Sequence, residues 1–174
     1  MTAAASSSSE ITTPFDDYRS HPLRIGWREW VELPALEIPG IKAKIDTGAR
    51  TSALHAFNLE EFQEKGQRRV QFSIHPLQHR TDVECTCVAD VLDVRTVSDS
   101  GGHREERIVF DTLIRLGSRE WPIEVTLTSR EDMLFRMLLG RTAMTSGGLI
   151  IDPRASYLAG PSLRRRYPRR PKNG

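Results

Sequence analysis

The sequence contains little cysteine and has no long apolar segment. Its only two cysteines, Cys85 and Cys87, are separated by one residue, and a disulfide between such near neighbours would be strained. We therefore expect reduced thiols, which suit a reducing compartment. A transmembrane helix needs about 18 or more consecutive apolar residues, and no segment approaches that length. These scarcities exclude a disulfide-stabilised secreted scaffold and a helical membrane span within this sequence.

A secretory signal is also missing from the first residues. Residues 1–9 are rich in alanine, serine and threonine, without the basic start and apolar centre of a signal peptide. We therefore expect a cytoplasmic protein. The length of 174 residues, with 38% hydrophobic and 28% charged residues, is typical of one globular domain. We predict a disordered tail over residues 1–22, a folded domain over 23–160 and a disordered basic tail over 161–174.

An excess of positive charge is confined to the end of the chain. The whole sequence has a net charge of +2, and removing the six positive charges of residues 164–174 leaves −4. Basic runs of this kind can bind nucleic acid or acidic surfaces. However, Pro168 and Pro171 prevent a regular helix, and we interpret this tail as solvated. We do not expect nucleic acid to be a partner.

Short β-patterned segments dominate the folded part. Strand-forming runs occur near residues 25–33, 41–45, 70–74, 83–97, 107–116, 121–127 and 149–151. The two long runs at 83–97 and 107–116 flank a Gly-Gly turn, which predicts a hairpin. Residues 58–65 have a capping-box pattern that indicates one or two helical turns ended by Gly66, and 142–146 also favour a short helix. The pattern predicts an all-β, barrel-like fold with one or two short helices.

The most informative segment is Asp46-Thr47-Gly48-Ala49. An apolar run over residues 41–45 leads into an aspartate on a Thr-Gly turn, where the glycine allows a substrate backbone to come close. A tripeptide alone is a weak signal. It is strengthened by a second segment about ninety residues later, Met137-Leu138-Leu139-Gly140-Arg141. Asp46, Thr47 and Gly48 are therefore the candidate catalytic residues.

These two segments, together with Arg95 and Ser100-Gly101-Gly102, resemble the bacterial retropepsin-like aspartic peptidase family, which has also been labelled an ATP-dependent zinc protease family. The resemblance covers roughly residues 25–158. It implies a closed β-barrel of the acid-protease type and an association with ATP-grasp ligases that attach glutamate to peptides or proteins. It also implies that Leu138, Leu139, Gly140 and Arg141 support the active-site loops, with Arg141 acting through carboxylates.

A single carboxylate is not enough for the peptide hydrolysis that the resemblance implies. Peptide hydrolysis needs an ionised carboxylate to take a proton from water and a protonated one to polarise the carbonyl group. The sequence has a single Asp-Thr-Gly, and Asp111-Thr112-Leu113 lacks the glycine. We therefore predict a homodimer that brings Asp46 of each subunit together across a two-fold axis.

The predicted substrate-binding residues lie beside the Asp46 loop and on the hairpin that would cover it. They are Ala49, Arg50, Arg95, Ser100, Gly101 and Gly102. Arg50 and Arg95, with Arg104 and Arg107, would form a cationic pocket, since guanidinium groups bind carboxylates through paired hydrogen bonds. The expected substrate is thus a peptide or protein, and specifically an acidic or glutamate-modified peptide.

Two other functions stay open at this point. The chain could be a non-catalytic peptide-binding partner of an ATP-grasp ligase. It could also be a zinc hydrolase that uses His75, His79, Cys85 and Cys87, although Pro76 disfavours a helical two-histidine site. The sequence has no His-Glu-x-x-His segment and no phosphate-binding Gly-x-x-x-x-Gly-Lys-Ser/Thr loop. We therefore predict no metal and no cofactor.

Overall fold

Strands make up most of the computed structural model, which describes residues 14–98, 101–129 and 133–169. Across these residues it contains twelve strands, two short α-helices and two short 3₁₀ turns, Pro34–Leu36 and Leu163–Arg166. The elements are α1 (Pro14–Ser20), β1 (Leu23–Gly26), β2 (Arg28–Leu33), β3 (Ile38–Ile45), β4 (Ser52–His55), β5 (Phe57–Glu64), β6 (Gln67–Ile74), β7 (Cys85–Asp90), β8 (Asp93–Ser98), β9 (Arg104–Leu116), β10 (Arg119–Thr128), β11 (Met137–Leu139), α2 (Arg141–Ser146) and β12 (Leu149–Asp152). The prediction of an all-β fold with one or two short helices is confirmed.

The main sheet closes on itself. Its strand order is β10-β4-β11-β3-β2-β9-β8, and an additional pairing joins β9 to β10. Six strands therefore form a ring, and β8 extends outward from β9. The interior is filled by fully buried side chains that include Phe110, Ile41, Leu54 and Trp121. The predicted retropepsin-like barrel is confirmed, and each of its six ring strands has a hydrogen-bonded neighbour on both sides, so that only β8 leaves an edge of this sheet open.

Helix α2 is fastened to the barrel by Trp121. The indole ring is fully buried, and its Nε1–H donates a hydrogen bond to the Ala143 carbonyl at 3.0 Å. A buried tryptophan normally needs such an acceptor for its single donor. Because α2 follows directly after β11, this contact helps to hold the whole β11–α2 corner in place.

A second, three-stranded sheet of order β5-β6-β7 corrects the predicted helix at residues 58–65. This segment belongs to β5, which pairs antiparallel with β6. Lys65 and Gly66 both have positive φ, 51° and 79°, as the two-residue turns favoured in hairpins require. Cross-strand ion pairs add support, including Arg68–Glu61 at 2.5 Å. Strand pairing outweighs the local capping pattern, and Gly66 forms the hairpin turn instead of ending a helix.

The long predicted strand over residues 83–97 is divided between the two sheets. β7 pairs with β6, whereas β8 pairs with β9. The chain passes from the three-stranded sheet to the main sheet between two successive residues. Val91 N donates to Arg68 O on β6 at 2.9 Å, and Leu92 N donates to Val109 O on β9 at 2.8 Å. The hairpin is therefore shorter than predicted: it consists of β8 and β9 alone, with Ser98 opposite Arg104. We call β8, the turn and the start of β9 the flap.

Parts of both predicted tails are ordered against the barrel. At the N-terminal side, α1 contacts β10, and the Tyr18 ring lies 6.4 Å from that of Trp121. At the C-terminal side, Tyr167 is 8% exposed and donates a hydrogen bond from Oη to Gly40 O at 2.6 Å. An aromatic side chain thus joins part of each predicted tail to the barrel. Residues 1–13 and 170–174 lie outside the described residues.

We find no helix in the described parts of the chain that combines the length and the apolar composition needed to cross a bilayer.

Candidate active site

Asp46 is placed by two neighbouring strands. It directly follows β3, which runs parallel to β11 with Leu139 opposite Ile45. The backbone N–H of Asp46 donates to Leu139 O at 3.0 Å, and that of Ile45 donates to Trp27 O at 2.9 Å. The two sequence segments singled out above are therefore adjacent, and the second strand supports the aspartate loop directly.

One oxygen of the Asp46 carboxylate is held by its own loop. Oδ1 accepts hydrogen bonds from Gly48 N at 3.0 Å and Ala49 N at 3.2 Å. A Cβ atom on Gly48 would lie 3.2 Å from the same oxygen, so the glycine gives this turn the room that it needs. The other oxygen, Oδ2, has no hydrogen-bond partner among the described residues. The half-buried carboxylate is thus fixed in orientation and presents one free oxygen.

The loop that carries Asp46 is also held from below by the start of α2. Arg141 Nη1 donates to Thr47 O at 2.8 Å and to Gly48 O at 3.1 Å. Its backbone N–H donates to Ala49 O at 2.9 Å. Arg141 therefore contacts this loop through backbone carbonyls, whereas the resemblance implies a role through carboxylates.

Gly140 is required by close backbone packing. A Cβ atom at this position would lie 2.5 Å from the carbonyl carbon of Thr51 and 2.8 Å from Ser52 N. The same glycine donates its N–H to the buried Ser52 hydroxyl at 3.1 Å. The Leu138-Leu139-Gly140 segment thus allows β11 and the chain entering β4 to approach without a side chain between them.

The remaining loop residues differ in exposure. Thr47 and Arg50 are exposed, and Ala49 is half-buried. The Arg50 carbonyl accepts hydrogen bonds from the backbone N–H and the hydroxyl of Thr142, at 3.0 and 3.1 Å. Its guanidinium forms no ion pair with any residue that the structure describes. Arg50 is therefore an exposed positive charge on the loop that carries Asp46.

Arg95 in the flap is not available in the same way. Its guanidinium donates to Glu124 at 2.5 and 3.4 Å and to Asp93 at 2.9 Å. These carboxylates raise the pKa of Arg95, and Arg95 together with Val94 N lowers the pKa of Asp93. Arg107 is likewise paired with Glu105 at 2.8 Å. Two of the four arginines of the predicted cationic pocket, Arg95 and Arg107, are therefore neutralised by acids of the chain, whereas Arg50 and Arg104 have no ion-pair partner among the described residues.

The flap turn is only partly described. Gly101 and Gly102 lie at its tip, and Gly102 has a φ of 79°, a left-handed conformation that favours glycine. The predicted substrate contact at Ser100 lies outside the described residues.

The residues of the zinc hypothesis do not assemble into a site. The His75 ring stacks on Phe57 with centroids 4.6 Å apart, and its Nδ1 lies 3.1 Å from Val83 O. Both cysteines are unbridged, as predicted, and burial raises the pKa of Cys87 to about 12. Within the described residues, no three histidine, cysteine or acidic side chains are grouped to hold a metal ion.

Two acidic residues of structural importance were missed by the sequence reasoning. Glu29 is fully buried, and its carboxylate accepts hydrogen bonds from Gly26 N at 2.7 Å, Leu158 N at 2.8 Å and Ala159 N at 3.2 Å. It joins β2 to the chain that follows β12. The sequence signal for this role is an acidic residue between Trp27 and Val31, because the segment around it is expected to be buried and a buried acid needs hydrogen-bond donors.

Asp152, at the end of β12, is the second of these residues. It is 8% exposed and accepts hydrogen bonds from Arg24 and from the side chain and backbone of Arg154. These bonds lower the pKa of Asp152, and the hydrogen bond from Arg24 has the largest effect. Since β1 and β12 pair only with each other, the Arg24–Asp152 contact fastens the end of this small sheet.

The lowered pKa of Asp152 predicts a pH-dependent stability difference. A carboxylate with a lower pKa in the folded state stabilises the fold above its unfolded pKa, about 3.9 for aspartate, and this contribution is lost as the pH falls below that value. Asp152→Asn should therefore lower the thermal midpoint at pH 7, and the gap from wild type should shrink towards pH 3. Arg24→Gln should act in the same direction. A gap of equal size at both pH values would contradict this account.

A closed β-barrel with Asp-Thr-Gly-Ala at the end of one strand, and an apolar strand ending in glycine packed beside it, defines a single-lobed retropepsin-like fold. Comparison with known families agrees with this class. Residues 24–162 match the RimB-like family, described as "Retropepsin-like aspartic endopeptidase RimB", and the chain belongs to this family.

Two curated relatives and one solved structure are also similar to this chain. The chain is 43% identical over 136 residues to a "Probable alpha-L-glutamate ligase" of Shewanella pealeana, and 46% identical over 129 residues to a protein of the same description from Desulfotalea psychrophila. These alignments cover 78% and 74% of this chain but only 30% and 28% of the relatives. A crystal structure of a Legionella pneumophila protein of unknown function superposes with a TM-score of 0.66 at 26% identity, covering 78% of this chain and 97% of that one.

Proposed function

We propose that this protein is a homodimeric aspartic endopeptidase in which Asp46 of each subunit contributes one carboxylate to a shared site. The observation that carries the proposal is the geometry of Asp46. Its Oδ1 is held by Gly48 N and Ala49 N, while Oδ2 has no hydrogen-bond partner among the described residues. A carboxylate oriented in this way is prepared to bind a water molecule or to share a proton with a second carboxylate.

The proposed reaction needs both subunits. One Asp46 is ionised and removes a proton from a bound water, while the other is protonated and donates a hydrogen bond to the scissile carbonyl oxygen. The water oxygen bonds to the carbonyl carbon, and the carbon–nitrogen bond then breaks as the amine takes a proton. Thr47, exposed beside Asp46, would hydrogen-bond to the partner subunit's loop and fix the separation of the two acids.

The proposed substrates are acidic or glutamate-modified peptides. Arg50 supports this choice because it is a positive charge on the Asp46 loop without an ion-pair partner among the described residues. The relatives named as glutamate ligases support it as well, since their described activity concerns the same amino acid. Gly101 and Gly102 at the flap tip would cover the bound peptide and exclude water, and Arg95 would support the flap through Glu124.

Dilution tests the requirement for a dimer. If each subunit supplies half of the site, the activity per subunit on a glutamate-bearing peptide should fall steeply once the protein is diluted below its dimer dissociation constant. Sedimentation velocity over the same concentrations should show the dimer disappearing in parallel. An activity per subunit that stays constant while the protein becomes monomeric would reject the shared site.

A second candidate function is that of a non-catalytic module that binds peptides for an ATP-grasp ligase. The alignment with about 30% of the length of the named ligases favours it, because a domain joined to a ligase in some proteins can serve a separate ligase in others. In that case wild type and Asp46→Asn would bind the same peptides, and neither would cleave them.

A further inference from the structure

A cavity lined by arginines lies far from Asp46. It has a volume of about 750 Å³ and is lined by Arg80, Arg164, Arg165 and Arg169, with Ser162 and Tyr167. We call it the arginine cavity. The Tyr167 hydroxyl, at the cavity, donates a hydrogen bond to Gly40 O, and Asp46 lies six residues after Gly40, just past the end of β3. At about 3.3 Å per residue, Gly40 and Asp46 are roughly 20 Å apart.

The arginines of this cavity carry unbalanced charge. Arg80 is 4% exposed and is paired with Asp82 through two hydrogen bonds of 2.6 and 2.5 Å. Arg164, Arg165 and Arg169 are exposed and form no ion pair with any residue in the described ranges. Arg166 on the same turn behaves differently, since it pairs with Glu32 at 2.7 Å. Three guanidinium groups thus line one cavity without an ion-pair partner among the residues that the structure describes.

The chemistry of the lining favours carboxylates over nucleic acid. Guanidinium groups bind carboxylates through two parallel hydrogen bonds. Single-stranded nucleic acid is usually held by exposed aromatic rings on which bases stack, whereas the one aromatic ring of the lining, Tyr167, is 8% exposed.

We propose that the arginine cavity is a binding site for an acidic peptide segment with three or more carboxylates, such as a run of glutamates. Combined with the proposed function, on which this step rests, the cavity would hold the acidic part of a substrate while Asp46 acts elsewhere on it. An extended peptide needs about six residues to span roughly 20 Å. Binding at a second site raises the effective concentration of the substrate at the first.

The test measures binding of a fluorescent octaglutamate peptide to the full chain by anisotropy. Arg164→Gln/Arg165→Gln should weaken binding roughly tenfold or more, because two charge-assisted contacts are lost. The matched control is Arg19→Gln/Arg68→Gln, which makes the same change in net charge outside the cavity and should leave the affinity within about twofold. Asp46→Asn should also bind normally, so that a failure of the peptidase proposal and a failure of this one are distinguishable.

Three results would overturn the proposal. The first is equal octaglutamate affinity for wild type and Arg164→Gln/Arg165→Gln. The second is an equal loss in the control variant, which would indicate a general charge effect. The third is tighter binding of an octauridylate RNA than of octaglutamate, which would assign the cavity to nucleic acid. An octaglutamine peptide should not bind, since it has the same length without carboxylates.

Discussion

Asp46→Asn is expected to reduce the cleavage of glutamate-bearing peptides by about 10²–10⁴-fold, the range in which a positioned acid or base contributes to catalysis. Asparagine has nearly the same shape as aspartate but does not take a proton from water. Its side-chain oxygen can still accept the hydrogen bonds that Gly48 N and Ala49 N now donate to Asp46. The loop should therefore keep its structure, and the thermal midpoint and dimer mass should change little.

The measurement is product release followed by mass spectrometry, with thermal unfolding recorded on the same preparations. Asp111→Asn is the matched control, since Asp111 also precedes a threonine but lies within β9 and lacks the glycine turn. It should retain most of the activity. Cleavage by the Asp46→Asn variant at the wild-type rate would refute the peptidase proposal, and an equal loss in Asp111→Asn would point to a non-specific effect of removing an acid.

Glu29→Ala is expected to have the largest effect on stability, a loss of about 2–4 kcal/mol. The substitution removes the acceptor for Gly26 N, Leu158 N and Ala159 N. A hydrogen bond to a charged group contributes about 1.5–3 kcal/mol, and an orphaned buried donor costs about 1–3 kcal/mol. Because the two donors after β12 are only partly buried, water would compensate for some of this loss. For a domain of this size the thermal midpoint should fall by roughly 4–16 °C.

Urea denaturation and thermal unfolding measure this change. Glu106→Ala is the control, since Glu106 is exposed on β9 and a surface substitution of this kind usually stays within about 0.5 kcal/mol. Glu29→Gln should lie between wild type and Glu29→Ala, because its single carbonyl oxygen can replace only part of the carboxylate. A loss below about 1 kcal/mol for Glu29→Ala would show that the network contributes little.

Much of the barrel and of the Asp46 loop could be predicted from the sequence because their signals are local. The apolar run before Asp46, the Thr-Gly turn and the Leu-Leu-Gly segment each specify a short piece of backbone. Their adjacency follows from the resemblance to a known family, and β3 and β11 are neighbours in the structure. The resemblance also predicts a supporting role for Arg141 through carboxylates, and in the structure its side chain donates to the backbone carbonyls of Thr47 and Gly48.

Local signals failed where distant strand pairing decided the outcome. The capping pattern at Asn58 indicates a helix, but pairing with β6 makes the segment a strand. The valine-rich run before the flap looks continuous, yet its halves join different sheets. Arg95 looks like a free cation in the sequence, and only the fold brings Glu124 to within 2.5 Å of it.

The sequence by itself determined the class of the fold and the identity of the candidate catalytic acid, since both depend on residues that are neighbours along the chain. Only the tertiary structure decided which charges remain available. In the folded protein Arg95 is paired with Glu124, and Glu29 is buried and accepts a hydrogen bond from Leu158 N. Arg80 lies with Arg164 and Arg165 around one cavity. The physical reason is that hydrogen bonds and ion pairs act over a few ångströms, and folding alone brings residues more than eighty positions apart to that distance.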